Sequence, residues 1–219
     1  MSLKTYLKIK KEIGSKATLI AVSKGQPLKK ILKLYNEGHR DFGENFLQEL
    51  SEKKAKLPDD IRWHFLGNIQ SNKLSKIIES SYMIHSVSRY KIYKLLFSDL
   101  SDEKTNILLQ LKLGSENTKS GFSENEIVNI IDKHDKRSKI KIKGIMAISE
   151  NNINSLKIRK QFEKAEKLFK TLKKINKEIE ILSMGMSSDY YEAMSFNSNM
   201  IRIGTAIFGK RGKTNNGQK

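Results

Sequence analysis

The sequence contains no cysteine, which excludes disulfide frameworks, cysteine-ligated zinc, iron–sulfur clusters and thiol nucleophiles. Proline is scarce, with 2 residues in a chain of 219, and tryptophan occurs once. No apolar run approaches the roughly 20 residues that a membrane-spanning helix needs. The N-terminus alternates lysines with single apolar residues and lacks the apolar run of a signal peptide. We therefore expect a globular cytoplasmic protein with no membrane partner.

Acidic residues are few beside the basic ones: 24 Asp and Glu stand against 42 Lys and Arg, a formal net charge of +18. Non-specific nucleic-acid binding is therefore one hypothesis. However, 35 of the basic residues are lysines and 7 are arginines, although arginine is the residue that binds phosphate and guanine in a bidentate manner. Pairs such as Lys53–Lys54 are spread along the chain, and we interpret them as solvated helix faces. We expect no specific nucleic-acid partner.

Short apolar runs alternate with longer segments of helical spacing. The spacing predicts an extra N-terminal helix over Leu3–Ile13, a helix over Ser123–Lys133 that opens with a Ser123/Glu126 capping box, and a long helix over Ser155–Asn176. The runs predict eight strands: Thr18–Ser23, His39–Gly43, Ile61–Gly67, Tyr82–Val87, Asn106–Leu113, Ile140–Ile148, Glu180–Gly185 and Met200–Gly204.

Strands that alternate with helices pair in parallel, and eight such units indicate a (β/α)8 TIM barrel. An open doubly wound sheet is the alternative, because strand order cannot be read from one sequence. No linker, repeat or low-complexity block marks a domain boundary. We predict one domain over residues 1–209 and a polar, disordered tail over 210–219.

In such a barrel the chemistry lies at the carboxyl ends of the strands. Lys24 follows the first apolar strand directly, so its ammonium is predicted at the barrel mouth, where desolvation favours the neutral amine. A neutral lysine amine forms Schiff bases with carbonyl groups. A lysine that reaches out to solvent is the simpler alternative, and position alone does not decide between the two.

Two clusters of small and hydroxyl-bearing residues follow the last two strands: Ser183 to Ser187, and Gly204 with Thr205. Barrels often bind phosphate with these two loops, where backbone N–H groups face the anion. Pyridoxal 5′-phosphate (PLP) requires a lysine that reacts with its aldehyde and, opposite this lysine, a site that binds its phosphate. Each cluster alone is equally compatible with ordinary turns.

Seven motifs, in order along almost the whole chain, resemble the pyridoxal phosphate homeostasis protein family, single-domain relatives of the alanine racemase N-terminal barrel. They are AVSK (21–24), FGENFLQE (42–49), WHFLGNIQSNK (63–73), SENTKSGF (115–122), GIMAI (144–148), LSMGMSSD (182–189) and RIGTAIFG (202–209). The resemblance implies PLP as cofactor, held by Lys24 as an internal aldimine.

The resemblance also implies the other cofactor contacts. Ser183, Gly204 and Thr205 are expected to bind the phosphate, with Ser187 nearby. Further contacts are expected from Asn45 beside the ring, Met146 at the end of the sixth strand, and Arg202 at the pyridine nitrogen. A guanidinium can only donate, so Arg202 would leave that nitrogen unprotonated and the cofactor poorly activated. An ion pair inside the barrel is the alternative role of Arg202.

The chain also departs from the racemase pattern. Only ten residues follow Gly209, so we expect no counterpart of the second domain of racemases, which supplies a catalytic tyrosine. His64 and His85 are candidates for a second base, but each lies in an apolar strand where a structural, hydrogen-bonded histidine is more common. The sequence predicts a monomeric PLP carrier without catalytic residues or metal, which could supply PLP-dependent apoenzymes. A PLP-dependent amino-acid racemase is the alternative.

Overall fold

Eight parallel strands close into a barrel in the order of the sequence, with β8 pairing back to β1. The structure is a computed structural model that describes residues 1–97, 105–114, 120–135, 139–150 and 154–209. The strands are β1 Thr18–Val22, β2 Asp41–Glu44, β3 Arg62–Phe65, β4 Met83–Val87, β5 Thr105–Leu111, β6 Ile140–Ala147, β7 Ile181–Ser183 and β8 Met200–Ile203. The predicted (β/α)8 barrel is confirmed.

Helices follow the strands on the outside of the sheet. They are α1 Leu3–Ile13, α2 Leu28–Asn36, α3 Leu47–Lys54, α4 Leu74–Ser80, α5 Tyr90–Phe97, α6 Glu124–Asp132, α7 Ser155–Ile175, α8 Tyr190–Ser195 and α9 Thr205–Phe208. The N-terminal helix has the predicted bounds, and the predicted capping box opens α6. The short helix α9 was not predicted. Within the described ranges, no helix combines the length and apolar character needed to span a bilayer.

The strands separate two apolar regions because successive side chains alternate between the faces of a strand. Leu19 and Ala21 of β1 join the large cluster between sheet and helices. Ile20 belongs to a smaller cluster with four other strand residues, Met83, Leu108, Met146 and Met200, inside the barrel. Polar residues that lie two positions from these interior residues therefore also face the barrel interior.

The predicted tail, 210–219, and the first five residues of the SENTKSGF motif, 115–119, lie outside the described residues. The loops that follow β1, β2, β7 and β8 are described, as are the first three residues after β6, and they lie at one mouth of the barrel, because parallel strands all end there. These loops build the site described next.

Candidate functional site

A cavity of about 340 Å³ lies at the carboxyl ends of the strands. This volume is within the range of small-molecule sites. Seven of the eight residues predicted to contact the cofactor line it: Lys24, Asn45, Met146, Ser187, Arg202, Gly204 and Thr205. The fold thus brings the predicted residues, which come from five strand ends and lie up to 181 positions apart in the sequence, to a single cavity.

Lys24 lies in the turn that follows β1, and its side chain is half-buried in the cavity wall. Gly25 continues this turn with φ +67°, in the left-handed region that favours glycine. The carbonyl of Ser23 accepts a hydrogen bond from Gln26 N–H at 3.0 Å. The chain therefore turns sharply at Lys24, which leaves its side chain at the mouth of the barrel.

Among the described residues of the cavity wall, several have a backbone N–H group that no protein acceptor uses. Within the described residues, the amides of Ser187, Ser188, Gly204 and Thr205 donate to no protein acceptor. By contrast, the amide of Met186 donates to Asp189 Oδ1 at 2.6 Å. The hydroxyl of Ser187 joins the two loops, because it accepts a hydrogen bond from Ala206 N–H at 3.4 Å. Unused donors in the loop after β7 and at the start of α9 can bind an anion.

Arg202 is a buried cation, 5% exposed, in the wall of the same cavity. Its Nη1 donates to Ser183 Oγ at 2.6 Å and its Nη2 to the carbonyl of Ala147 at 2.9 Å. In the part of the chain that the structure describes, no carboxylate lies within ion-pair distance of it, so the alternative of an ion pair is not supported. Burial lowers the pKa of Arg202 to about 10, and the guanidinium stays protonated at neutral pH.

Ser183 is the one predicted cofactor residue that does not line the cavity. It is fully buried in β7, two positions after Ile181, so its side chain faces the barrel interior. There its Oγ holds Arg202 and lies 3.4 Å from His85 Nδ1. The geometry assigns Ser183 to the orientation of Arg202, whereas Ser187, four residues later, lines the cavity.

A chain of hydrogen bonds continues from Ser183 through the interior of the barrel. His85 Nε2 lies 2.9 Å from His64 Nδ1, and His64 Nε2 lies 3.1 Å from Asp41 Oδ1. Burial lowers the pKa of both histidines. Two neutral imidazoles satisfy this chain if each donates toward Asp41 and accepts from the Ser183 side. Neither histidine lines the cavity, which favours a structural role for both over the role of a second base.

Sequence reasoning missed five residues of the cavity wall: Val22, Leu66, Ile148, Met186 and Ser188. Leu66, Ile148 and Met186 belong to the motifs that carried the resemblance, but their apolar side chains gave no chemical reason to select them. Their position directly after a strand, or within three residues of its end, was the available signal.

Lys53 corrects the interpretation of the lysine pairs as solvated. It is 5% exposed, and its Nζ donates to Glu44 Oε1 at 2.7 Å and to Glu49 Oε1 at 2.7 Å. Glu44 is fully buried, and its Oε2 has no partner within the described residues. Burial raises the pKa of Glu44 to about 7, although Lys53 and Ser23 act in the opposite direction. Lys54, the next residue, is exposed as predicted.

The chain is similar to proteins of known family. A family model of the alanine racemase N-terminal domain matches residues 4–212. A pyridoxal phosphate homeostasis protein of Vibrio alginolyticus is 37% identical over 200 residues, which cover 88% of this chain and 86% of the relative. The homeostasis protein of Schizosaccharomyces pombe is 32% identical over 205 residues, 90% of this chain and 86% of the relative.

Solved structures agree with this assignment. PipY of Synechococcus elongatus, with PLP bound, superposes with a TM-score of 0.86 at 30% identity over 94% of this chain and 99% of PipY. PipY without PLP gives a TM-score of 0.87 at 31% identity, with the same coverage. The chain belongs to the pyridoxal phosphate homeostasis protein family, whose barrel is that of the alanine racemase N-terminal domain.

Proposed function

We propose that this chain binds PLP in the cavity at the barrel mouth, holds it through a Schiff base at Lys24, and acts in PLP homeostasis as a carrier with little or no catalysis of its own. One observation carries this proposal: a single cavity is lined by a lysine, by an arginine with no carboxylate within ion-pair distance, and by four residues whose backbone N–H groups have no protein acceptor, all judged within the described residues. PipY, a member of the same family, has been solved with PLP bound.

The donors present fit a phosphorylated pyridine aldehyde. The N–H groups of Ser187, Ser188, Gly204 and Thr205 would bind the phosphate, assisted by the hydroxyls of Ser187 and Thr205. A side chain on Gly204 would lie 3.2 Å from the carbonyl oxygen of Val22, so glycine also leaves room beside β1. Asn45 and Met146 line the same cavity, and the ring would lie against them.

When bound, PLP supplies an aldehyde that amines exchange and a ring that withdraws electrons from the carbon attached to the amine. Arg202 limits the withdrawal of electrons by the ring. Its guanidinium keeps its own protons at neutral pH and has none to transfer, because its pKa is about 10 even after burial. A pyridine nitrogen that faces Arg202 would accept a hydrogen bond and no proton, which favours storage of the cofactor over carbanion chemistry.

The ionisable groups at the cavity also favour a carrier over a racemase. Among the described residues that line the cavity, Lys24 and Arg202 alone carry ionisable side chains. A two-base racemase needs an acid/base on each face of the bound amino acid, and Lys24 can serve one face only. Racemisation of alanine by the wild-type protein well above the rate of the Lys24→Ala variant would contradict this part of the proposal.

Borohydride reduction tests the link to Lys24. The PLP-loaded protein should absorb near the wavelength of a protonated Schiff base, lose that band on reduction, and yield a modified peptide that contains Lys24. Lys24→Ala should abolish the band, whereas Lys33→Ala, on an exposed position of α2, should leave it unchanged. A full band in Lys24→Ala, or an adduct on another lysine alone, would disprove the assignment.

The carrier role has its own test. We propose that the monomer acts in the cytoplasm and passes PLP to apoenzymes, since an amine can displace Lys24 from a Schiff base. The loaded protein should reactivate a PLP-dependent apoenzyme across a short incubation, while the borohydride-reduced protein should not. Reactivation no faster than the release of PLP into buffer would contradict direct transfer.

A further inference from the structure

A cluster of three ionic side chains forms hydrogen bonds to the turn that carries Lys24. The cluster consists of Glu44 at the end of β2 and of Glu49 and Lys53 on α3. Lys53 Nζ donates to three acceptors, each at 2.7 Å: Glu44 Oε1, Glu49 Oε1 and the carbonyl of Ser23. All three donors of the ammonium are therefore used.

The cluster contacts the chain on both sides of Lys24. Before it, Ser23 donates its hydroxyl to Glu44 Oε1 at 2.6 Å, and its carbonyl accepts from Lys53. After it, the N–H of Gly25 donates to Glu49 Oε1 at 2.5 Å. Both neighbours of Lys24 are thus fixed to one set of three side chains, and none of these three lines the cavity.

Burial makes such a cluster costly. Lys53 is 5% exposed and Glu44 is fully buried, and charges removed from water are compensated only by close pairing and complete hydrogen bonding. Glu44 Oε2 has no partner within the described residues, so the compensation is incomplete. Well-packed apolar side chains would stabilise the same region as well or better. The cluster is therefore better explained by the backbone groups that it orients than by stability.

We propose that Glu44, Glu49 and Lys53 are positioning residues that fix the turn at Ser23–Gly25, so that the amine of Lys24 reaches the cofactor aldehyde. This proposal rests on the proposed function of Lys24. In the covalent step the neutral amine adds to the aldehyde carbon, a C=N bond forms, and the carbonyl oxygen leaves as water with the two amine protons. The step requires a defined approach of the nitrogen to the carbon, and misplacement of a reacting group by about 1 Å can slow a reaction about a hundredfold.

The test separates the covalent step from recognition of the phosphate and ring. Lys53→Met and Glu49→Ala remove the contacts to Ser23 and Gly25 respectively. Lys54→Met and Glu52→Ala are matched controls, since both lie on exposed positions of α3. For each protein we would measure the rate of Schiff-base formation with PLP, and the affinity for an analogue that has a methyl group in place of the aldehyde.

We expect Lys53→Met and Glu49→Ala to form the Schiff base about tenfold more slowly or worse. Their affinity for the analogue should stay within about twofold of wild type, and Lys53→Arg should recover part of the rate. Parallel loss of analogue affinity in Glu49→Ala, or wild-type rates in both variants, would overturn the proposal. If wild-type protein itself forms no adduct at Lys24, the proposed function fails first, so the two failures are distinguishable.

Discussion

Arg202 Nη1 lies 2.6 Å from Ser183 Oγ, inside the barrel. The hydroxyl accepts from the guanidinium while it lies 3.4 Å from His85 Nδ1, so Ser183 connects Arg202 to the buried histidines. This contact gives two serines that are four residues apart in the sequence different roles. Ser183 contacts the cation, whereas Ser187 lines the cavity in which we propose that the phosphate binds.

Ser183→Ala should destabilise the fold more than it weakens PLP binding. The variant leaves a buried N–H of Arg202 without an acceptor, which costs about 1–3 kcal/mol of unfolding free energy. Ser187→Ala should do the opposite, because that hydroxyl is half-buried and lines the cavity. Urea unfolding without cofactor and PLP titration measure the two effects. Equal losses of PLP affinity in both variants would indicate that Ser183 binds the phosphate, as the sequence predicted.

Gly67→Ala should distort the cavity wall at Asn45. A methyl group at Gly67 would lie 1.8 Å from the carbonyl oxygen of Asn45, so the backbone there must move. We expect a loss of about 1–3 kcal/mol in unfolding free energy, typical of overpacking, together with weaker PLP binding. Asn68→Ala is the control, since Asn68 is exposed and does not line this cavity. Unchanged PLP affinity in Gly67→Ala would mean that Asn45 contributes nothing to binding.

Acid should destabilise the protein as the pH falls below about 6.5, the ordinary pKa of histidine. Burial lowers the pKa of His39 to about 4, and it also lowers the pKa of His64 and His85. The unfolded chain therefore binds protons that the folded chain does not, and stability present above pH 6.5 is lost toward pH 4. His39 alone contributes a loss of about 2 kcal/mol between pH 6.5 and pH 5.

Glu44 changes the stability of the fold in the opposite direction over part of this pH range. Burial raises its pKa to about 7, so the folded chain binds its proton more tightly, and its contribution to stability decreases as pH rises from about 4.5 to 7. Unfolding in urea at pH 7 and pH 5 should show a net loss at the lower pH. Glu44→Gln should make that loss larger, and a smaller loss would contradict the assignment of Glu44.

Nucleic-acid binding, if detected, should disappear with salt. The 42 basic residues that give the charge of +18 are spread along the sequence, and the functional proposals depend on two of the lysines, Lys24 and Lys53. Affinity for duplex DNA should fall at least about a hundredfold between roughly 50 and 200 mM salt, as counterion release predicts. A gel shift that survives physiological salt would favour the nucleic-acid hypothesis over the present one.

The strands were predictable from sequence to within one or two residues. Runs such as Thr18–Ser23 are apolar because both faces of a parallel strand are buried, and that pattern is local. The differences lie at the ends: β2 begins at Asp41, two residues after the predicted start at His39. His39 precedes the strand, and its Nε2 lies 2.8 Å from the carbonyl oxygen of Asp41.

The burial of Lys53 was not predictable, because it depends on residues that the fold brings together. In the sequence Lys53 is one of two adjacent lysines on a polar helix, and a pattern of charges indicates a solvated face. Its partners are the carboxylate of Glu44, on a different element, and the carbonyl of Ser23, 30 residues away. Likewise, only the orientation of β7 distinguishes Ser183 from Ser187.

The pairing of β1 with β8 closes the sheet, with Ile20 opposite Arg202 in the ladder. A contact between the N-terminus and α9 reinforces this closure, because the N–H of Ser2 donates to the carbonyl of Ile207 at 2.8 Å. Lys24 and the loop at Gly204 thus come from opposite ends of the sequence and meet only when the last strand docks. These are contacts of high contact order, which form late and slowly. PLP attachment at Lys24 would therefore report the completed barrel, and nascent chains in which β8 has not yet docked would escape loading.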